Sequence, residues 1–130
     1  MSRLHGVVFD CKHPASLARW WAETLGYRVR PYSEDDLASL RAEGITDPED
    51  DTSVAIDDPD GGPVMWFNLV PEGKKVKNRV HLDVGSDPAE LIARGATVVL
   101  EEGDDRGWTV LADPEGNEFC ASIRWVKPAD

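Results

Sequence analysis

The sequence predicts an α+β fold: two βαβββ modules whose mixed β-sheet curves into a cup, with the helices on its outer face. Three observations carry this. One ordered set of turn and helix-end signals occurs twice, hydrophobic periodicity switches between strand and helix spacing around those signals, and the composition is that of an ordinary globular chain.

The repeat is the strongest of the three. His13-Pro14-Ala15 is answered by Asp87-Pro88-Ala89, Leu25-Gly26-Tyr27 by Arg94-Gly95-Ala96, and Asp58-Pro59-Asp60-Gly61 by Asp113-Pro114-Glu115-Gly116. Proline at a first helical position pre-sets φ, and the residue before it can cap the orphan amides. Glycine near a helix end takes the left-handed conformation that stops it. Asp-Pro-x-Gly places Pro and Gly where a turn between antiparallel strands wants them.

Each element then follows in order. Leu4, Val7, Val8 and Phe9 mark a strand over about 4–11, and Leu17, Trp20, Trp21 and Leu25 form one stripe of a helix over 15–25. Both tryptophans of that helix read as core. Asp10, just before the helix start, reads as support or cap for that turn. Strands are predicted near 27–31, 52–57 and 63–70, and an insertion over 32–50 carries a short helix around Asp36 to Arg41. After a linker from Pro71 to Lys77, the second module runs as a strand over 78–84, a two-turn helix over 88–94, and strands near 97–101, 107–112 and 117–125. Residues 1–130 thus make a single domain, with module one at about 4–70 and module two at about 78–125.

Charge and composition exclude several partners. A net charge of −11 repels nucleic-acid phosphates and anionic membrane surfaces. Eleven acids lie between Glu34 and Asp60 against the single base Arg41, a solvated face or a lure for cationic ligands. Met1 to Val8 is too short and polar for a signal peptide, and no apolar run approaches the ~20 residues of a membrane span. Two cysteines, Cys11 and Cys120, do not make a disulfide framework. A soluble, cytoplasmic protein with reduced thiols is expected.

Four stretches stand out: Val7-Val8-Phe9-Asp10-Cys11, Leu17-Ala18-Arg19-Trp20-Trp21 with Leu25-Gly26, Lys77-Asn78-Arg79-Val80-His81-Leu82-Asp83, and Asp113-Pro114-Glu115-Gly116-Asn117-Glu118-Phe119-Cys120. Together they resemble the vicinal-oxygen-chelate superfamily, in its glyoxalase-like branch (the glyoxalase/bleomycin resistance protein/dioxygenase type). The resemblance implies a concave small-molecule site and relatives that pair as symmetric homodimers. It also implies a divalent metal held by four side chains, two His and two Glu or Gln, from the first and last strands of each module. Tested residue by residue, His81 matches. The counterpart in module one is Gly6, with His5 one residue out of register and so on the opposite strand face. The two last-strand positions fall on Cys120 and on 63–70, where Asn68 is the only polar side chain. One ligand of four survives, so no metal and no other cofactor is expected.

Strand alternation puts Arg79, His81 and Asp83 on one face, opposite Val80, Leu82 and Val84, and sets Glu118 and Cys120 opposite Phe119. The candidate catalytic pair is His81 with Glu118, acting as general base and acid or merely as a polar network lining the sheet. Candidate ligand-binding residues are Asn68, Trp66, Arg79, Asp83, Cys120 and Trp108. The tryptophans offer platforms for a planar or cationic molecule. Two functions follow. One is a metal-independent lyase or isomerase using His81 and Glu118. The other is a bleomycin-resistance-type protein sequestering a cationic aromatic compound.

Overall fold

The computed structural model describes residues 1–103 and 107–128. The chain divides into two compact units, Met1–Gly73 and Lys74–Asp130. Among the described residues, no helix is long and apolar enough to cross a membrane.

In the first unit, β1 (Gly6–Cys11), α1 (Pro14–Leu25), β2 (Arg28–Val29), α2 (Glu34–Ala42), β3 (Ser53–Asp57) and β4 (Val64–Leu69) follow in order. The sheet runs β1-β4-β3-β2, with β1 parallel to β4 and the other neighbours antiparallel. Proline opens α1, and Gly26 closes it at φ 71°, the left-handed backbone that lets the Tyr27 amide return to the Ala22 carbonyl at 2.9 Å. The stripe of Leu17 and Trp21 is buried against the sheet face that carries Ile56, Met65 and Phe67. The Phe9 ring meets Trp21 edge-on at 5.4 Å and lies 5.2 Å from Phe67. The cap expected at this helix is absent: the N-cap residue, His13, makes no side-chain bond to it, and Asp10 is exposed. Proline at the first position has no amide, so one of the orphan donors of the first turn is missing there in any case.

In the second unit, β5 (Asp83–Gly85), α3 (Pro88–Ala93), β6 (Thr97–Leu100), β7 (Thr109–Ala112) and β8 (Glu118–Ser122) follow. Its sheet runs β5-β8-β7-β6, again with a parallel outer pair and antiparallel neighbours. Asp87 caps α3 by accepting the Ala89 amide at 3.0 Å. Leu91, Leu111, Phe119 and Ala121 form the core of this unit. The two units therefore repeat one βαβββ topology.

The duplicated turns repeat down to the atom. The Gly61 amide donates to the Asp58 carbonyl at 3.0 Å, and the Gly116 amide to the Asp113 carbonyl at 2.9 Å, with both glycines at positive φ. Each aspartate side chain also gathers amides within its own turn. Asp58 takes those of Asp60 and Gly62, and Asp113 those of Glu115 and Asn117.

Three strands are markedly shorter than the periodicity predicts, and the one expected near 27–31 is a strand only over Arg28–Val29. The one expected over 78–84 is a strand only over Asp83–Gly85. Upstream, a side-chain clasp replaces the backbone ladder. The Asn78 amide donates to Glu118 Oε1 at 3.0 Å, and the Glu118 amide donates to Asn78 Oδ1 at 3.2 Å. Val80, assigned to the helix-facing side, is consequently 82% exposed. The last strand stops at Ser122, whose hydroxyl accepts the Arg124 amide at 3.1 Å and caps a 3-10 turn over Ile123–Trp125. In the insertion, Ser33 and Asp36 form a reciprocal capping box that starts α2.

Candidate functional site

On the first sheet, alternation along β4 sends Met65 and Phe67 to the α1 side and Trp66 and Asn68 to the other. Register aligns Trp66 with Val8 and Ala55, and Asn68 with Ser53, whose hydroxyl donates to Asn68 Oδ1 at 2.7 Å. The Arg30 guanidinium sits 5.1 Å from the centre of the Trp66 ring. Two bonds to Asp57, at 2.9 and 2.8 Å, hold it there and keep the Asp57 carboxyl below the usual carboxylate range.

A cleft of ≈ 260 Å³ opens on this face, walled by Trp66, Arg30, Tyr32, Asp36, Leu40 and Asp51. Tyr32 donates its hydroxyl to Asp51 Oδ2 at 2.6 Å, and the Ser53 amide donates to Asp51 Oδ1 at 3.1 Å. Burial, then the hydrogen bond to Asp51, push the Tyr32 phenol well above its ordinary value. It is a fixed donor, not a proton shuttle. A wider cleft of ≈ 810 Å³ shares Arg30 and Trp66 and is edged by Arg3, His5 and Pro63. Of these wall residues, sequence reasoning found only Trp66. Arg30, Tyr32, Asp36 and Asp51 come together because the insertion folds back over the sheet. The density of acids beginning at Glu34 was the only signal of it.

In the second unit, the parallel ladder aligns Asp83 with Cys120, so both side chains share one sheet face. His81 lies two residues upstream of Asp83. Its Nδ1 is 3.8 Å from Asp83 Oδ1 and 3.9 Å from Cys120 Sγ. Glu118 is engaged differently. Besides the Asn78 amide it faces Lys77 at 3.5 Å and Lys74 at 3.7 Å. The Asn78 amide foremost, then the two lysines, hold its carboxyl below the usual glutamate range. Arg79 is exposed in the irregular stretch before β5. Trp108 stacks on Trp125 at 6.2 Å, with both rings part-exposed.

A depressed carboxyl adds stability above its unfolded-state value, and that stability is lost as pH falls through the folded value. Glu118→Gln is therefore expected to cost about 1 kcal/mol at pH 7. The gap to the parent should close as pH drops below about 4.5, near the unfolded glutamate value. Thermal unfolding of both proteins from pH 7 to pH 3 checks this; a gap that widens in acid would refute the clasp.

The fold built of these two βαβββ units is similar to that of glyoxalase/bleomycin resistance/dioxygenase family structures. The chain belongs to the glyoxalase-like domain family, whose model matches residues 6–122. It is similar in structure to a glyoxalase/bleomycin resistance protein/dioxygenase family enzyme from Burkholderia phytofirmans PsJN, with TM-score 0.57 and 21% identity over 92% of this chain and 97% of that one. The fosfomycin resistance protein FosX from Mesorhizobium loti aligns with TM-score 0.61 and 13% identity, over 94% and 91% of the two chains. A hypothetical protein, SA1046 from S. aureus, aligns with TM-score 0.60 and 14% identity over 93% of each chain. No curated protein matches the sequence significantly.

The four-ligand metal set that the resemblance implies does not fit this chain. At the first-strand position of the first unit, even a Cβ on Gly6 would lie 2.7 Å from the Val64 carbonyl oxygen, so no ligating side chain can be seated there without moving β4. At its last strand, Asn68 is committed to Ser53.

Proposed function

We propose that this protein binds a small, planar, cationic molecule on the Trp66 face of its first unit. The observation that carries the reading is the cleft of ≈ 260 Å³ with an aromatic wall and an acidic rim. The Arg30 guanidinium lying over the Trp66 ring supports that ring as a platform for cation–π contact. Arg30 is paired with Asp57, so the two further carboxylates at the wall, Asp36 and Asp51, give it a net negative charge. The volume lies just under the ~300–1,000 Å³ of drug-sized sites, which favours a molecule of one or two rings. Glu118 is held ionised by the Asn78 amide and two lysines, which weighs against a proton relay with His81. Binding, rather than turnover, is the better supported function.

Calorimetric titration with N-methylquinolinium and its neutral parent quinoline tests this. The cation is expected to bind more tightly than the neutral ring, and Trp66→Leu to weaken it about tenfold, the loss of roughly 1.4 kcal/mol of stacking and cation–π energy. Equal affinity for the two rings, no binding of the cation, or an unchanged affinity in Trp66→Leu would each sink the reading.

A further inference from the structure

We propose that the ligand of the first unit is a zwitterion: its cationic ring lies on Trp66, and a carboxylate on a short arm enters the wider neighbouring cleft, where Arg3 and His5 hold it. This rests on the Trp66 face binding a cation, and it assigns the second charge that such a ligand carries.

The two clefts carry opposite charge. Trp66 and Arg30 are walls of both, so the clefts adjoin across one indole ring. On the narrower side stand Asp36 and Asp51. On the wider side, of ≈ 810 Å³, Arg3, Arg30 and His5 face a single carboxylate, that of Asp57. Arg30 and Asp57 are paired with each other through two hydrogen bonds, which leaves Arg3 as the net positive charge of that wall. In a chain of net charge −11, a positive wall runs against the surface as a whole.

Strand register puts these groups there. Gly6 pairs with Val64 in the parallel β1–β4 ladder, and the Val64 amide donates to the His5 carbonyl at 3.3 Å. The residues leading into β1 are thereby tied alongside Pro63 and Val64, and Arg3 and His5 come to edge the cleft. Gly61 and Gly62 line it without side chains, which keeps it open. Neither the Arg3 guanidinium nor the His5 ring makes a hydrogen bond or ion pair among the described residues. A guanidinium matches a carboxylate with two parallel N–H···O bonds, and an imidazole offers a further N–H in either protonation state. Acids on one side of Trp66 and a base on the other also fix which way round a zwitterion lies, and they oppose a second cation at the Arg3 end.

Calorimetric titration of the full chain with N-(carboxypropyl)quinolinium and N-(carbamoylpropyl)quinolinium tests the assignment, since the two share ring and arm and differ by one negative charge. The carboxylate is expected to bind about fivefold more tightly at low salt, the upper end for a solvent-exposed ion pair. That advantage should vanish in Arg3→Ala and reverse in Arg3→Glu. Arg3 is exposed, so neither replacement disturbs the core. Equal affinity of the two compounds for the parent chain, or an advantage that survives in Arg3→Glu, overturns the carboxylate subsite and leaves Trp66 as a cation platform. Binding of neither compound overturns both.

Discussion

Trp21→Ala is expected to cost about 3–5 kcal/mol, against a total stability of about 5–15 kcal/mol for a domain of this size. Trp21 is wholly buried and joins α1 to the sheet through an edge-on contact with Phe9 of β1 at 5.4 Å, while Trp20 of the same helix meets it edge-on at 5.1 Å. Removing it deletes the largest side chain of the core. The remaining walls, built from Phe67, Leu17 and Ile56, are held by strand pairing and helix geometry and can collapse only in part. Urea unfolding should show a large drop in midpoint with little change in slope. Trp21→Phe, which retains most of the volume, should lose less than half as much. A loss below about 1 kcal/mol in the alanine variant would mean that α1 does not seat on the sheet as described.

The second large effect is expected at a turn. Asp113 is 2% exposed, yet its carboxylate accepts the Glu115 amide at 2.9 Å, the Asn117 amide at 3.0 Å, and the Asn117 side-chain amide at 2.9 and 3.2 Å. Asp113→Ala strands these donors where water reaches them poorly, at about 1–3 kcal/mol per unsatisfied group. A total of about 3–4 kcal/mol follows, since partial relaxation spares some of that sum. The matching Asp58→Ala is the internal control. Its donors, Asp60 and Gly62, are exposed and regain water, so about 1 kcal/mol is expected there. Thermal unfolding of the two variants decides the matter: equal losses would show that burial does not set the difference.

These paired turns also show what could be read without coordinates. Proline, glycine and aspartate constrain φ and local hydrogen bonding within a few residues, so the repeat, the order of elements and both main helices were legible from Pro14, Gly26, Asp58, Pro88, Gly95 and Asp113. The helix stripe identified Trp21 as core because a spacing of three and four has one physical meaning. What escaped depends on partners distant in the chain. Strand β5 is short because Asn78 clasps Glu118, forty residues away. Glu118, assigned to an acid–base pair with His81, faces two lysines of the segment read as a linker. Arg30 reaches Trp66 and Asp57 only once β2 has paired with β3. Periodicity placed Asp83, His81 and Cys120 on plausible faces but could not show that the ladder brings them together, because register is a property of two strands at once.

The capping box that starts α2 has a consequence for anything entering the first-unit cleft. The helix is nine residues long and none of them is fully buried, so little apolar contact anchors it beyond the half-buried Leu37 and Leu40. Such an element detaches at a small fraction of the free energy needed to unfold the sheet beneath it. Asp36 and Leu40 thus stand on the less firmly anchored wall of the cleft, opposite Trp66. For the ligand proposed above, residence time would follow how readily that wall detaches, and would lengthen to the extent that the ligand steadies the helix.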